Sequence, residues 1–294
     1  MGVTTSASQV RGLDRWLRPL GWATLVANCV LVVTGGAVRL TGSGLGCPTW
    51  PRCTDESFTP HGALELHSAI EFGNRMLTFV LVAVALATLV VAWQSGRRDL
   101  RRIALALALG IPAQAVIGGI TVLTDLNPWV VSFHLLCSLA IVGLSVVFLQ
   151  RIDHPDPVLA RGPVVGLAWA TFAAAWAVLY VGTIVTGSGP HAGDVDSPRN
   201  GLNPLQISQL HADAVFLFVG LTLGLLFAVH AIGASAPVRT AVLVLLGLEL
   251  AQGAIGFVQY FTDLPIVLVG LHMLGAAAVS ASVTWVLVRV REPA

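Results

Sequence analysis

At 294 residues, 55% hydrophobic and only 11% charged, with a mean hydropathy of +0.82, the chain carries too little charge to cover a soluble domain. A formal net charge of +1 gives no reason to expect a nucleic-acid partner. The bilayer is the expected solvent. Apolar stretches recur at roughly 20–40, 66–93, 103–124, 129–150, 163–186, 207–231, 238–260 and 265–288, each about the 18 or more residues that a membrane-spanning helix needs. Backbone groups in lipid must be satisfied within the segment, and no alternating ten-residue pattern suggests a barrel. The expected fold class is an all-α integral membrane protein of eight transmembrane helices.

The first stretch follows Arg11, Arg15 and Arg18. It is long for a signal peptide, so a retained anchor is expected. All 16 basic residues are arginine, and with an inside N-terminus only Arg39, Arg52, Arg75 and Arg199 fall outside. That bias predicts that both termini are cytoplasmic and that the even helices start at the outer face.

The loop after the first stretch reads Thr41-Gly42-Ser43-Gly44, then Cys47-Pro48-Thr49-Trp50-Pro51-Arg52-Cys53. A disulfide is plausible on an oxidising outer side, and the pair could be structural or exchange with an external thiol carrier. Cys29 and Cys137 lie inside helices and read as packing residues. In the second stretch His67 and Glu71 are four apart and Asn74 three further, a spacing that puts all three on one stripe. Glu71 is a candidate acid, base or charge stabiliser; the plainer reading pairs it with Arg75 as an interfacial anchor.

The third and fourth stretches are repeated by the seventh and eighth. Ala113-Gln114, Ile117-Gly118, Thr124-Asp125-Leu126 and His134 recur as Ala251-Gln252, Ile255-Gly256, Thr262-Asp263-Leu264 and His272, all 138 residues later. Thr41-Gly42-Ser43-Gly44 recurs as Thr186-Gly187-Ser188-Gly189, at an offset of 145. The expectation is two tandem four-helix bundles, residues 1–156 and 157–294, related by an axis along the membrane normal and joined near Pro155, Pro157 and Pro163.

His67, His134, His211 and His272 open the even helices, whereas His61 and His191 lie in outer loops and His154 and His230 face inside. One histidine in a membrane helix is commonly a satisfied core residue, but four at one face point to a function. Two imidazoles from facing helices suit a haem iron better than zinc or copper, which want more ligands close together. The pairs would be His211 with His272, and His67 with His134. Glu249, deep in the seventh stretch, reads as a structural hydrogen-bonding group.

Together these residues resemble haem A synthase, the membrane enzyme family that converts haem O to haem A for cytochrome oxidases. The resemblance covers essentially the whole chain. It is carried by Gly35-Gly36-Ala37-Val38-Arg39-Leu40-Thr41-Gly42-Ser43-Gly44 with Cys47, Trp50-Pro51 and Cys53, by Glu71 with Arg75, and by the histidines of the even helices. It implies an oxidoreductase of a bacterial plasma membrane, with haem b as cofactor on His211 and His272. Substrate haem O would bind in the N-terminal half on His134, with Glu71 as essential carboxylate and Cys47 and Cys53 as a loop disulfide above the pocket. A porphyrin methyl group would become a formyl group by successive hydroxylation and loss of water. Implied partners are membrane lipid, haem O synthase and cytochrome oxidase assembly factors, and an outward helix face could support a homo-oligomer.

One position departs from the family. Its pattern is Glu-x-x-His-Arg, and Asn74 stands where that histidine belongs. His67 lies on the same stripe, roughly 10 Å nearer the outside by helix rise. It is expected to be the second axial ligand, the alternative being a pocket-lining role with the substrate iron five-coordinate or water-bound. The competing function is a di-haem b-type electron-transfer cytochrome, which would place its haems near opposite faces rather than at one. A transporter is disfavoured by the few intramembrane charges.

Overall fold

The computed structural model describes residue 12 and residues 14–60, 66–154 and 160–291. Arg11, His61, Pro155 and Pro157 lie outside the described residues. Among those described there are eight helices, each long and apolar enough to cross a membrane: α1 (Leu17–Leu40), α2 (Leu66–Gln94), α3 (Arg98–Leu123), α4 (Pro128–Asp153), α5 (Pro163–Ser188), α6 (Pro204–Ala231), α7 (Ala236–Phe261) and α8 (Ile266–Arg291). The chain is a multi-pass membrane protein. Several helices run a turn beyond the apolar stretches, α3 into its opening arginines and α8 out to Arg291. Hydropathy stops at a charge, whereas the backbone ladder continues into the interface.

Proline opens α4, α5 and α6 at positions whose N–H groups need no helical partner. Asn127 and Asn203 cap two of these starts by accepting from the backbone N–H groups of Trp129, and of Leu205 and Gln206.

The repeat is structural as well as sequential. The bounds of α3 and α4 fall 138 residues before those of α7 and α8. Each pair is joined by the same turn, in which Asp125-Leu126 and Asp263-Leu264 all have positive φ between 50° and 58°. The turns close with Leu126 N–H on Thr121 (2.8 Å) and Leu264 N–H on Gln259 (3.0 Å). Left-handed backbone is uncommon for leucine, so its appearance at both equivalent sites marks one inherited turn.

Within residues 17–153, α1 packs on α2, α2 on α3, α3 on α4, and α4 back on α1. The same cycle links α5, α6, α7 and α8. The cycles meet where α1 and α4 pack on α8 and α4 packs on α5, around buried Val32, Leu139, Leu179 and Ala277. Ser280 donates to the Leu139 carbonyl (2.8 Å), and Ser132 and Thr183 share a short hydrogen bond, so the seam is polar as well as apolar. At the end where α1 leads into its loop, Arg39 donates to the carbonyls of His191 (2.7 Å) and Thr186 (3.0 Å), and Gly44 N–H to that of Gly193 (2.8 Å). His191 in turn meets the Leu264 carbonyl at 3.0 Å. At the inner end Arg18 pairs with Asp153 at 2.8 Å.

Gly143 marks the tightest approach of α4 to α8, since a Cβ there would lie 2.9 Å from Thr284 Oγ1. Gly143→Leu should lose about 1–3 kcal/mol by overpacking and lower the thermal midpoint in detergent. Gly247→Leu, at a position with no neighbour within 4 Å, should leave it nearly unchanged. Equal midpoints for the two variants would show that this seam carries little of the stability.

Candidate functional site

In the C-terminal half His211 on α6 and His272 on α8 face each other, with ring centroids 6.5 Å apart and planes at 74°. Glycines on the other two helices make room for them. A Cβ at Gly182 on α5 would lie 3.1 Å from His211 Cε1, and one at Gly256 on α7 3.8 Å from His272 Cε1. The pair is thus a product of all four helices: two supply rings and two supply hollows. The Nδ1 atoms of both rings are buried without a hydrogen bond of good geometry, although the Val178 backbone lies beside His211. Two imidazoles on opposite sides of one metal atom would have ring centres about 6 Å apart, from two bonds of roughly 2 Å plus the ring radii. The observed spacing fits a single shared metal atom. Among the described residues no group of three or more His, Cys, Asp or Glu side chains is placed to hold a bare ion, so two-sided ligation within a macrocycle is the chemistry the pair suits.

In the N-terminal half His134 on α4 repeats the His272 environment. A Cβ at Gly118 on α3 would lie 3.3 Å from its Cε1, and its Nδ1 is likewise buried without a partner. Gln114 donates to the His134 carbonyl (3.3 Å) and to Ser138 Oγ (2.7 Å), steadying this turn of α4. His67 is not brought to it. It stands exposed on the first described turn of α2, with Nδ1 2.9 Å from Ser43 Oγ, and the structure has no ring contact between His67 and His134. Three of the four histidines therefore share a depth, as the seventh or eighth residue of their helix, and His67 lies further out. Asn74, about two turns further along the same stripe of α2, accepts at Oδ1 from Thr34 Oγ1 on α1 (2.8 Å).

Glu71 is buried, 5% exposed, beneath the first outer loop. Its Oε2 accepts from Cys47 N–H at 2.6 Å. Its Oε1 accepts from Arg75 Nη2 at 2.5 Å and Nε at 3.1 Å. Arg75 also donates to the carbonyls of Cys47, Thr49 and Arg52 at 3.0–3.1 Å. A buried ion pair is costly unless its remaining hydrogen-bonding capacity is met, and here the loop backbone meets it. The Glu71–Arg75 pair of the plainer reading is present, and what it anchors is the loop. Cys47 and Cys53 form a disulfide and are both buried. Trp50, between them, packs so closely on Gly119 of α3 that a Cβ there would enter the indole ring. Ser68 adds a bond to the Gly46 carbonyl at 2.9 Å.

Other candidates take structural places. Glu249 accepts from Thr222 at 2.6 Å, deep in the C-terminal bundle, in keeping with the role read from the sequence. His154 meets Arg289 at 3.0 Å and His230 the Leu226 carbonyl at 2.7 Å, both at the inner end. Cys29 and Cys137 are free thiols inside their helices. Sequence reasoning missed the glycine hollows and the Thr34–Asn74 bond. Gly118 and Gly256 stood within the repeat and could have been found there; nothing in the sequence paired Thr34 with Asn74.

Residues 18–193 match the model of the COX15-CtaA family, described as cytochrome oxidase assembly protein. A heme A synthase of Staphylococcus epidermidis is 24% identical over 280 residues, covering 87% of this chain and 90% of that protein. A heme A synthase of Staphylococcus haemolyticus is 27% identical over 185 residues, 57% of this chain and 59% of that one. One from Listeria welshimeri is 29% identical over 143 residues, or 44% and 45% of the two chains.

Because Arg75 holds three loop carbonyls, Arg75→Ala should loosen the loop and open the disulfide to solvent. Reduction by a mild membrane-impermeant thiol, followed by a maleimide gel shift, should run severalfold faster in the variant. An unchanged rate would mean that Trp50 packing alone closes the loop.

Proposed function

The chain belongs to the COX15-CtaA family of cytochrome oxidase assembly proteins, the family of the haem A synthases it resembles, and on that premise we propose that it oxidises haem O to haem A. In this reading two four-helix halves, residues 1–156 and 157–294, are related by an axis along the membrane normal, with both termini cytoplasmic. The C-terminal half holds haem b on His211 and His272, and the N-terminal half takes haem O as substrate on His134. The observation that carries the reading is the His211–His272 spacing of 6.5 Å, with the His211 ring seated closely against Gly182. Glu71 and the disulfide loop have no counterpart around that pair, which supports chemistry in one half and permanent ligation in the other.

Haem b, which His211 and His272 would hold, would supply one-electron redox chemistry. The protein's own residues do the rest. His134 orients the substrate from α4, with its ring seated against Gly118. Trp50 and the Cys47–Cys53 loop close the outer mouth and keep water off the pocket. Glu71, held by Arg75 and Cys47 N–H, would stabilise positive charge or take a proton at a carboxylate oxygen as a methyl C–H is lost. Net oxidation takes the methyl group through two hydroxylations to a gem-diol, which loses water to give the formyl group; with water as the oxygen source, four electrons and four protons leave, the electrons passing singly to an external electron acceptor. Haem O synthase would supply the substrate and cytochrome oxidase assembly factors would receive the product.

Purified protein should show a low-spin b-type spectrum that is lost in His211→Ala and in His272→Ala. Glu71→Ala should keep that spectrum while haem A, measured by pigment extraction, falls below detection. A b-type spectrum that survives both histidine substitutions, or normal haem A from Glu71→Ala, contradicts the assignment.

A further inference from the structure

The two halves can be laid over one another by their repeats, and the overlay asks what occupies the His211 position in the N-terminal half. The Thr41–Gly44 and Thr186–Gly189 segments fix α1 against α5 at an offset of 145 residues. His211 lies beside Val178 and Gly182, whose counterparts on α1 are Val33 and Ala37. Between those two stands Thr34, and the side chain bonded to it is Asn74. His67 instead bonds Ser43, the counterpart of Ser188, roughly 9 Å further out by helix rise. His134 meanwhile keeps the His272 position, with its glycine behind it.

The duplicated pocket therefore has one imidazole replaced by a carboxamide. The Thr34 hydroxyl occupies Asn74 Oδ1 at 2.8 Å, which fixes the orientation of the amide and leaves Nδ2 with no protein acceptor among the described residues. An amide N–H is a poor ligand for iron but a good hydrogen-bond donor to something bound there.

We propose that Asn74 is a distal hydrogen-bond donor, positioned by Thr34, and that the haem of the N-terminal half is held by His134 alone with its opposite coordination position open to a small ligand. This rests on the reading that the N-terminal half takes a haem. In this reading the C-terminal half saturates its metal with two imidazoles, whereas the N-terminal half, with Asn74 in the second imidazole's place, keeps one position free. The chemical class recognised opposite His134 is a small hydrogen-bond-accepting species such as water, hydroxide or a simple anion.

The test uses the full-length protein in detergent, loaded with iron protoporphyrin IX as the stand-in for haem O, with ferric spin state read by electron paramagnetic resonance and fluoride as the small ligand. Two centres are expected per chain: one low-spin from His211 and His272, and one high-spin that disappears in His134→Ala. The low-spin signal reports in every variant that the protein has folded. Asn74→Leu and Thr34→Val should keep the high-spin centre but weaken fluoride binding about tenfold, and Thr34→Ser should restore it. Asn74→His should convert the centre to low-spin. His67→Ala should change neither spin state nor fluoride affinity. A wild-type second centre that is low-spin and turns high-spin in His67→Ala makes His67 the ligand and overturns the proposal. Unaltered fluoride affinity in Asn74→Leu overturns the donor role. If no second haem binds at all while the low-spin centre is intact, the N-terminal haem reading itself fails, and the proposal with it.

Discussion

An imidazole held in an apolar helix bundle must find something for its nitrogens, and that requirement organises the outer third of this protein. His134, His211 and His272 are each enclosed by helices, each backed by a glycine, and each left with a buried Nδ1 that makes no good hydrogen bond. Leaving such groups unmatched costs free energy with no return. A metal atom bonded at one ring nitrogen, inside an apolar macrocycle, would give each buried imidazole a partner and fill the apolar space around it. Gly182 and Gly118 belong to the same device, because a Cβ there would lie only 3.1 and 3.3 Å from the His211 and His134 rings, whereas Gly256 leaves ordinary contact distance to His272. Haem binding in both halves is the proposal that follows from this constraint.

The loops depend on the same geometry. Arg39 reaches from α1 to carbonyls of the second outer loop, Gly44 bonds Gly193, and a Cβ at either glycine would press on Leu126. Leu126 is one of the left-handed turn residues that set the start of α4, and hence the height of His134. The outer contacts between the halves thus bear on the position of a single imidazole. On the other side the Glu71–Arg75 pair fastens the disulfide loop over α2 and α3. Among the described residues the C-terminal half has no equivalent ion-paired clamp, and this difference separates the pocket proposed to hold from the one proposed to react.

Much of this was legible in the sequence. Length and hydropathy located all eight helices to within about a turn, because a bilayer admits little else. The 138-residue repeat foretold equal bounds for α3 and α7, and for α4 and α8, and the paired turns at Asp125 and Asp263. The facing of His211 and His272 and the cysteine bridge were also foreseen as candidates. What escaped was whatever depends on register between helices. His67 and Asn74 share a stripe, and stripe membership does not say which neighbour each one meets. Only the packing of α1 on α2 sets His67 against Ser43 and Asn74 against Thr34. For the same reason the sequence offered Glu71 as either anchor or reactive group. The Cys47 N–H bond, which makes it part of the loop's attachment, spans 24 residues and leaves no local pattern.

The central claim is that duplication produced two haem pockets of unequal grip. Its most direct test is transfer of bound haem from the fully loaded protein to an excess of apomyoglobin, followed by absorbance. Two phases of equal amplitude are predicted: a slow one abolished by His272→Ala, and a fast one abolished by His134→Ala. A single phase, or two that both respond to the same histidine, would contradict the claim.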